Sequence, residues 1–166
     1  MGIVLALLTE ENRLVMRTAL HTGLRVGDVL ALKPDRLRPN CWVTEAKTGK
    51  RRQIGLPEPL LSDLRAASGR VWVFPGRDPK HHRTRQAVWK DVKRAAEAVR
   101  IPQNVGPHSA RKVFAVELLG ESGDLSRVQK ALNHTDPEVT LLYAMADKLA
   151  NQKGRKRRPR PGKRKV

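Results

Sequence analysis

Apolar residues first recur at helical spacing: Leu14, Val15, Thr18 and Ala19 follow Thr9, which reads as an N-cap, and the first-turn acids Glu10 and Glu11. Gly23 ends this helix. A second, shorter helix is expected from Arg25 to Leu32, with Val26, Val29, Leu30 and Leu32 facing inward, and Pro34 stops it. The pattern then changes to extended segments. Trp42-Val43-Thr44 reads as a strand, Lys47-Thr48-Gly49-Lys50 as a turn, and Arg52 to Leu56 as a returning strand with Ile54 and Leu56 on one side. The expectation is a β-hairpin with a lysine near its tip.

Helical spacing returns over Leu60 to Ala67. Val71 to Phe74 reads as a short strand closed by Pro75, and Thr84 to Arg100 as a long amphipathic helix carrying Val88, Trp89, Val92 and Ala95. Pro102 and Gly106 break the pattern. His108 then opens a helix that continues through Leu119, Asp124 caps another that ends near Leu132, and Pro137 starts one carrying Val139, Leu142 and Tyr143. The class predicted is α+β, mainly helical, with a small three-stranded antiparallel sheet and no internal repeat.

Charge adds a partner to this outline. The 166 residues hold 34 Lys and Arg against 16 Asp and Glu, a formal charge of +18, which points to a polyanion. Nine of the basic residues lie between Lys153 and Lys165, leaving 25 against the same 16 acids, so residues 1–150 alone are +9. Residues 1–150 are therefore expected to fold as one domain, and 151–166 to form a basic disordered tail. The single cysteine, Cys41, excludes an internal disulfide framework and reads as a strand residue. The apolar run Ile3 to Leu8 is too short to cross a bilayer and lacks a basic leader, so no membrane partner is expected.

Taken singly, no polar residue decides the chemistry. Arg25 precedes Asp28 by three positions, a spacing common in surface ion pairs. Lys47 and its neighbours Lys50, Arg51 and Arg52 suit a charged sheet edge. His108 and Arg111 form an H-x-x-R spacing at a helix start, where both could meet an anion. His134 suits a helix end, and Tyr143 an apolar helix with its hydroxyl at the edge.

Order and spacing change the picture. TGLRVGDVLAL, EAKTGKRRQIGLP, PHSARKVFAVELL and LNHTDPEVTLLYA resemble, in order from Thr22 to Ala144, the four signature segments of the tyrosine recombinases, the phage integrase family. That family's pattern is an arginine, a hairpin lysine, H-x-x-R, a histidine or tryptophan, and a tyrosine nine residues later. Arg25, Lys47, His108, Arg111, His134 and Tyr143 fill all six places. Three stretches depart from the usual wording: Ala110 stands for a leucine, Lys112-Val113 for His-Thr, and Asn133 for a glycine, differences that touch packing and loop shape more than chemistry.

The resemblance implies a catalytic domain that cuts and rejoins DNA through a 3′-phosphotyrosine, with no metal, cofactor or ATP. Two guanidiniums, Arg25 and Arg111, would clamp the charged phosphorane-like state. Tyr143 would attack; a phenol near its ordinary pKa of about 10 is a weak nucleophile, so the surrounding positive charge and His108 would assist. Lys47 is the candidate acid for the departing 5′ oxygen, His134 a donor to phosphate, and Asp28 the support of Arg25. The partner expected is double-stranded DNA, bound by a homotetramer in the cytoplasm or nucleoid. Further DNA contacts expected are Lys50, Arg51, Arg52, His81, His82, Arg83, Arg85 and Lys112, with Lys153, Arg155, Lys156, Arg157 and Arg158 in the tail.

The family's usual N-terminal helical DNA-binding domain has no counterpart in these residues, which fits a piece of a longer protein or a single-domain integrase. A type IB topoisomerase shares the arginines, lysine and tyrosine, but the histidine positions and hairpin wording suit the integrases better. A catalytically inactive accessory protein of the same fold would suit the basic tail; the complete set of six argues against it. A zinc nuclease built from His81, His82, His108 and His134 would lack a carboxylate cluster or cysteine pairs.

Overall fold

The computed structural model describes residues 1–101 and 105–132. The apolar run at the start forms a short helix, α1 (Gly2–Ala6), whose Val4 and the following Leu8 are buried. The expected first long helix is α2 (Glu10–Thr22), and Gly23 ends it in the left-handed conformation, at φ +65°. Next come α3 (Val26–Leu30), a 3₁₀ turn (Pro34–Arg36), and the hairpin strands β1 (Asn40–Thr44) and β2 (Arg51–Gly55). After them lie α4 (Glu58–Ala67), α5 (Arg85–Ala98), α6 (Pro107–Ser122) and α7 (Leu125–Leu132).

Helix α2 is the hub, touching α1, α3, α4, α5 and α6. Its buried Val15, Met16 and Ala19 join Leu24, Val29, Leu30, Leu61, Leu64, Val88, Val92 and Ala95 in one continuous core. A smaller cluster, Ala115, Val128 and Leu132 with Phe114, Leu118 and Leu119 against it, fastens α7 to α6. Pro107 sits in the first turn of α6, where a missing N–H costs nothing, and Ser109 Oγ accepts the Gly106 N–H at 3.1 Å.

The hairpin is antiparallel, with Cys41 opposite Ile54 and Val43 opposite Arg52. Cys41, Val43, Arg52 and Ile54 lie on the buried face, and Asn40, Trp42, Thr44, Arg51, Gln53 and Gly55 on the exposed one. Burial pushes the Cys41 thiol above its ordinary pKa.

Two expectations are corrected. The third strand expected at Val71–Phe74 does not form: among the described residues the sheet has two strands. The segment's backbone groups are taken one at a time by different neighbours. Val73 N–H donates to Leu32 O (3.1 Å), Trp72 O accepts from Gly69 (2.9 Å), and Phe74 O accepts from Arg83 (2.8 Å), while Pro75 has no N–H to extend a ladder. Thr9 is the N-cap of α2 in position, but its side chain does not cap. Its N–H and Oγ1 both reach Asp91 Oδ2 on α5, at 2.9 and 3.1 Å.

Asp91 is thereby the centre of a polar knot. Asn12 Nδ2 donates to Oδ2 at 2.8 Å, Arg94 donates to Oδ1 through Nε (3.1 Å) and Nη2 (2.6 Å), and Arg83 Nε donates to Asn12 Oδ1 at 2.7 Å. Burial pushes the Asp91 carboxyl up, but the bonds from Asn12, Arg94 and Thr9 outweigh it and hold the pKa at about 2. Arg94 also donates to Leu7 O at 2.6 Å, so the knot ties α1, α2 and α5 together.

Candidate active site

The site grows from the end of α2. A Cβ on Gly23 would collide with the ring of Phe114, so only glycine lets α6 approach this closely, and only glycine adopts the required φ without strain. The approach brings Arg111 on α6 within 2.6 Å of Gly23 O through Nη1, and its Nη2 donates to Leu132 O at 2.5 Å. One buried guanidinium thus joins the ends of α2 and α7. Arg25, two residues beyond Gly23, is the N-cap of α3 in extended conformation and projects toward the hairpin.

Between the two arginines stands Glu45, fully buried at the end of β1. Arg25 Nη1 donates to its Oε2 at 2.5 Å, Arg52 Nε lies 3.5 Å from Oε1, and Arg111 Nη1 lies 3.9 Å from Oε1. Three guanidiniums converge on one carboxylate. Arg52 Nη2 also donates to Thr22 O at 2.5 Å. Burial pushes the Arg52 guanidinium below the ordinary arginine pKa; Glu45 and Asp28 oppose that shift, and Arg25 adds to it.

Glu45 also organises the lysine turn. Its carbonyl accepts the N–H groups of Gly49 (2.8 Å) and Thr48 (3.3 Å), its N–H donates to Lys50 O (2.9 Å), and Thr48 Oγ1 donates to Oε2 (3.3 Å). Gly49, at φ +67°, lets the chain reverse there. Asp28 Oδ1 accepts the Ala46 N–H at 2.9 Å. Lys47 is therefore carried, exposed, on a turn pinned to the arginine centre from both sides.

Of the residues expected from sequence, Arg25, Arg111, Asp28 and the Lys47 turn come together here. His108 is exposed on the first turn of α6, one turn before Arg111, which faces inward; the two do not share a solvent-facing surface. Two expectations change. Asp28 is not the partner of Arg25: it bonds to the hairpin backbone, and Glu45 takes Arg25 instead. Arg52, expected as a DNA contact, is buried with its guanidinium turned to Glu45 and Thr22, where it acts as an internal counter-ion.

Lys50, Arg51, Arg85 and Lys112 are exposed. His81 pairs with Asp78 (Nδ1 to Oδ2, 3.0 Å), His82 Nδ1 lies 2.7 Å from Arg83 O, and Arg83 is engaged with Asn12. His134, Tyr143 and the tail cations Lys153, Arg155, Lys156, Arg157 and Arg158 lie outside the described residues. No described helix is long and apolar enough to cross a membrane.

Glu45 and the internal role of Arg52 were missed, though the sequence carried a signal. With Ile54 and Leu56 inward, the two-residue period of a strand puts Arg52 on the same face, and opposite them Cys41, Val43 and Glu45 fall in phase. A carboxylate and an arginine sharing a buried hairpin face imply a pair.

The model of the phage integrase family matches residues 5–149. The chain is 31% identical over 155 residues to the tyrosine recombinase XerD of Lacticaseibacillus casei, an alignment covering 86% of this chain and 52% of that protein. It is 28% identical over 145 residues to the integrase of Escherichia phage P2, covering 86% and 40%. The chain spans about half the length of the curated relatives it matches. Its fold superposes on XerH site-specific recombinase bound to palindromic difH substrate with a TM-score of 0.73 at 21% identity, over 92% of this chain and 50% of that one. The catalytic domain of bacteriophage HP1 integrase gives 0.66 at 22%, over 87% and 82%.

Proposed function

Because the chain belongs to the phage integrase family, the tyrosine recombinases, we propose that it carries the DNA strand-transfer chemistry itself, cutting and rejoining duplex DNA through a 3′-phosphotyrosine without metal or ATP. The observation that carries this reading is the convergence of Arg25 and Arg111, 86 positions apart in sequence, on one buried carboxylate beside the Lys47 turn. Two guanidiniums supply the paired donors that a pentacoordinate phosphorus needs for its nonbridging oxygens.

In this reading Tyr143 Oη attacks phosphorus, the bond to the 5′ oxygen breaks, and Lys47 gives that oxygen its proton; a DNA 5′ hydroxyl later reverses the exchange. His108 helps take the proton that the Tyr143 hydroxyl loses, and His134 donates a hydrogen bond to a phosphate oxygen. One phosphodiester replaces another, so no external energy source is required. Double-stranded DNA is the partner, a homotetramer the working form, and the exposed Lys50, Arg51, Arg85 and Lys112 the phosphate contacts of the body. The test is a suicide duplex carrying a candidate site. Wild type is expected to leave a covalent adduct on a denaturing gel and Tyr143→Phe none, while both bind DNA; an adduct with the variant overturns the assignment.

A further inference from the structure

Glu45 has no part in the transfer chemistry outlined above, yet it occupies the centre of the clamp. Among the described residues its Oε1 is buried without a hydrogen-bond partner, although two guanidiniums stand 3.5 and 3.9 Å away. An under-coordinated carboxylate ringed by three cations is an anion site already filled by the protein's own anion. Its three cations are not equivalent. Arg52 is fixed to Thr22 O, and Arg111 to Gly23 O and Leu132 O, both nearly inaccessible. Arg25 is the most exposed, with 21% of its side chain accessible, and Glu45 is its hydrogen-bond partner among the described residues.

We propose that Glu45 is a positioning residue that stands in for the phosphate in the DNA-free protein, holding Arg25 in place and yielding it to the incoming phosphodiester. The proposal rests on the reading of Arg25 and Arg111 as the phosphate clamp. Without a central anion, three neighbouring guanidiniums would repel one another, although Arg52 and Arg111 would stay held by backbone carbonyls. With it, the arginines are arranged before DNA arrives, which lowers the reorganisation that the reaction requires. When Arg25 moves to phosphate, Arg52 stays, so the carboxylate is not stranded. The arrangement has a consequence for affinity: Glu45 competes with phosphate for Arg25, so removing its charge should strengthen anion binding even as it loosens the scaffold.

The test needs no cleavage. The full chain is titrated with inorganic phosphate at constant ionic strength, while NMR follows the Arg25 guanidinium N–H and the Glu45 side-chain carboxyl carbon. In wild type both signals are expected to move along one saturation curve. Glu45→Gln is expected to bind phosphate about ten-fold more tightly, the size of effect that one charge-assisted bond confers, and the gain should vanish when Arg25→Ala is added. A purely structural Glu45 gives unchanged or weaker phosphate binding in Glu45→Gln, or a gain that survives Arg25→Ala; either result overturns the proposal. Should Glu45→Gln not fold, the wild-type titration decides alone, and a Glu45 signal unmoved at phosphate saturation is the contrary result. Failure here with the covalent adduct intact removes only the role of Glu45. A missing adduct with the exchange intact removes the recombinase reading and leaves an anion site.

Discussion

Asp91 and Glu45 are both nearly or fully buried carboxylates approached by arginines, yet their surroundings differ in one respect that separates structure from chemistry. Both oxygens of Asp91 are occupied: Oδ2 by Thr9 and Asn12, Oδ1 by Arg94, every bond between 2.6 and 3.1 Å. Glu45 has three guanidiniums nearby, but among the described residues only its Oε2 accepts side-chain hydrogen bonds, from Arg25 and Thr48. A completed network rigidifies the fold that surrounds it. An incomplete one, with cations in excess of its anion, retains capacity for another anion. The Asp91 knot holds α1, α2 and α5 in place, and the Glu45 cluster is where a phosphate is proposed to bind.

The largest effects should come from breaking the incomplete cluster. Arg25→Ala and Arg111→Ala are each expected to lower single-turnover cleavage by about two to four powers of ten, the range for removing one transition-state donor. Arg111→Ala should also lower thermal stability, because it frees the buried Gly23 and Leu132 carbonyls; Arg25→Ala should lower it less, because Arg52 and Arg111 stay beside Glu45. Mild losses of cleavage in both would move the clamp elsewhere.

Lys47 is expected to help the leaving group and not the phosphate. If it protonates the departing oxygen, a substrate with a 5′ bridging sulfur, a much better leaving group, should restore cleavage to Lys47→Ala but not to Arg25→Ala. Equal rescue of both variants would reduce Lys47 to a general electrostatic role.

The completed knot should respond in stability instead of rate. Asp91→Asn is expected to cost roughly 1–3 kcal/mol, since Asn12, Thr9 and Arg94 lose a charged acceptor. The pH dependence has a definite sign. The folded-state pKa of Asp91 lies at about 2, below its ordinary 3.8, so its contribution is fully present above about pH 4. It is lost as the pH falls through about 2. Acid denaturation that is identical in wild type and Asp91→Asn would contradict this role.

The smallest effect expected concerns the nine cations from Lys153 to Lys165. If they neutralise phosphates, deleting residues 153–166 should flatten the plot of log affinity against log salt by roughly 0.9 for each phosphate they had neutralised, and weaken binding to all sequences alike. An unchanged slope would leave the body's +9 to account for binding.

Helices α2 to α7 and the hairpin were legible, several of them through a residue with a local mechanism: Gly23 in the left-handed region, Pro34 after α3, Gly106 before α6, and the strand alternation around Ile54; the short α1 was read only as an apolar run. The third strand was not, because Val71–Phe74 has the composition of a strand while its partners come from Leu32, Gly69 and Arg83, which no local pattern announces. At the site, the arginines and the lysine turn were found through family spacing. Glu45 and the inward Arg52 were overlooked because charge was read as exposure, although their hairpin phase matches that of Val43 and Ile54. The assignment of Asp28 to Arg25 failed for a related reason. A helical i, i+3 spacing makes such a pair possible, but a carboxylate from the neighbouring hairpin outcompeted it.

Whether the incomplete Glu45 cluster serves the reaction and the complete Asp91 knot the fold is decided by measuring adduct formation per folded molecule alongside thermal stability for Arg25→Ala and Asp91→Asn. Arg25→Ala is expected to lose at least about a hundred-fold in rate per folded molecule, while Asp91→Asn melts lower and cleaves at the wild-type rate per folded molecule. The opposite pattern, with cleavage surviving in Arg25→Ala and lost in fully folded Asp91→Asn, would contradict this division of roles.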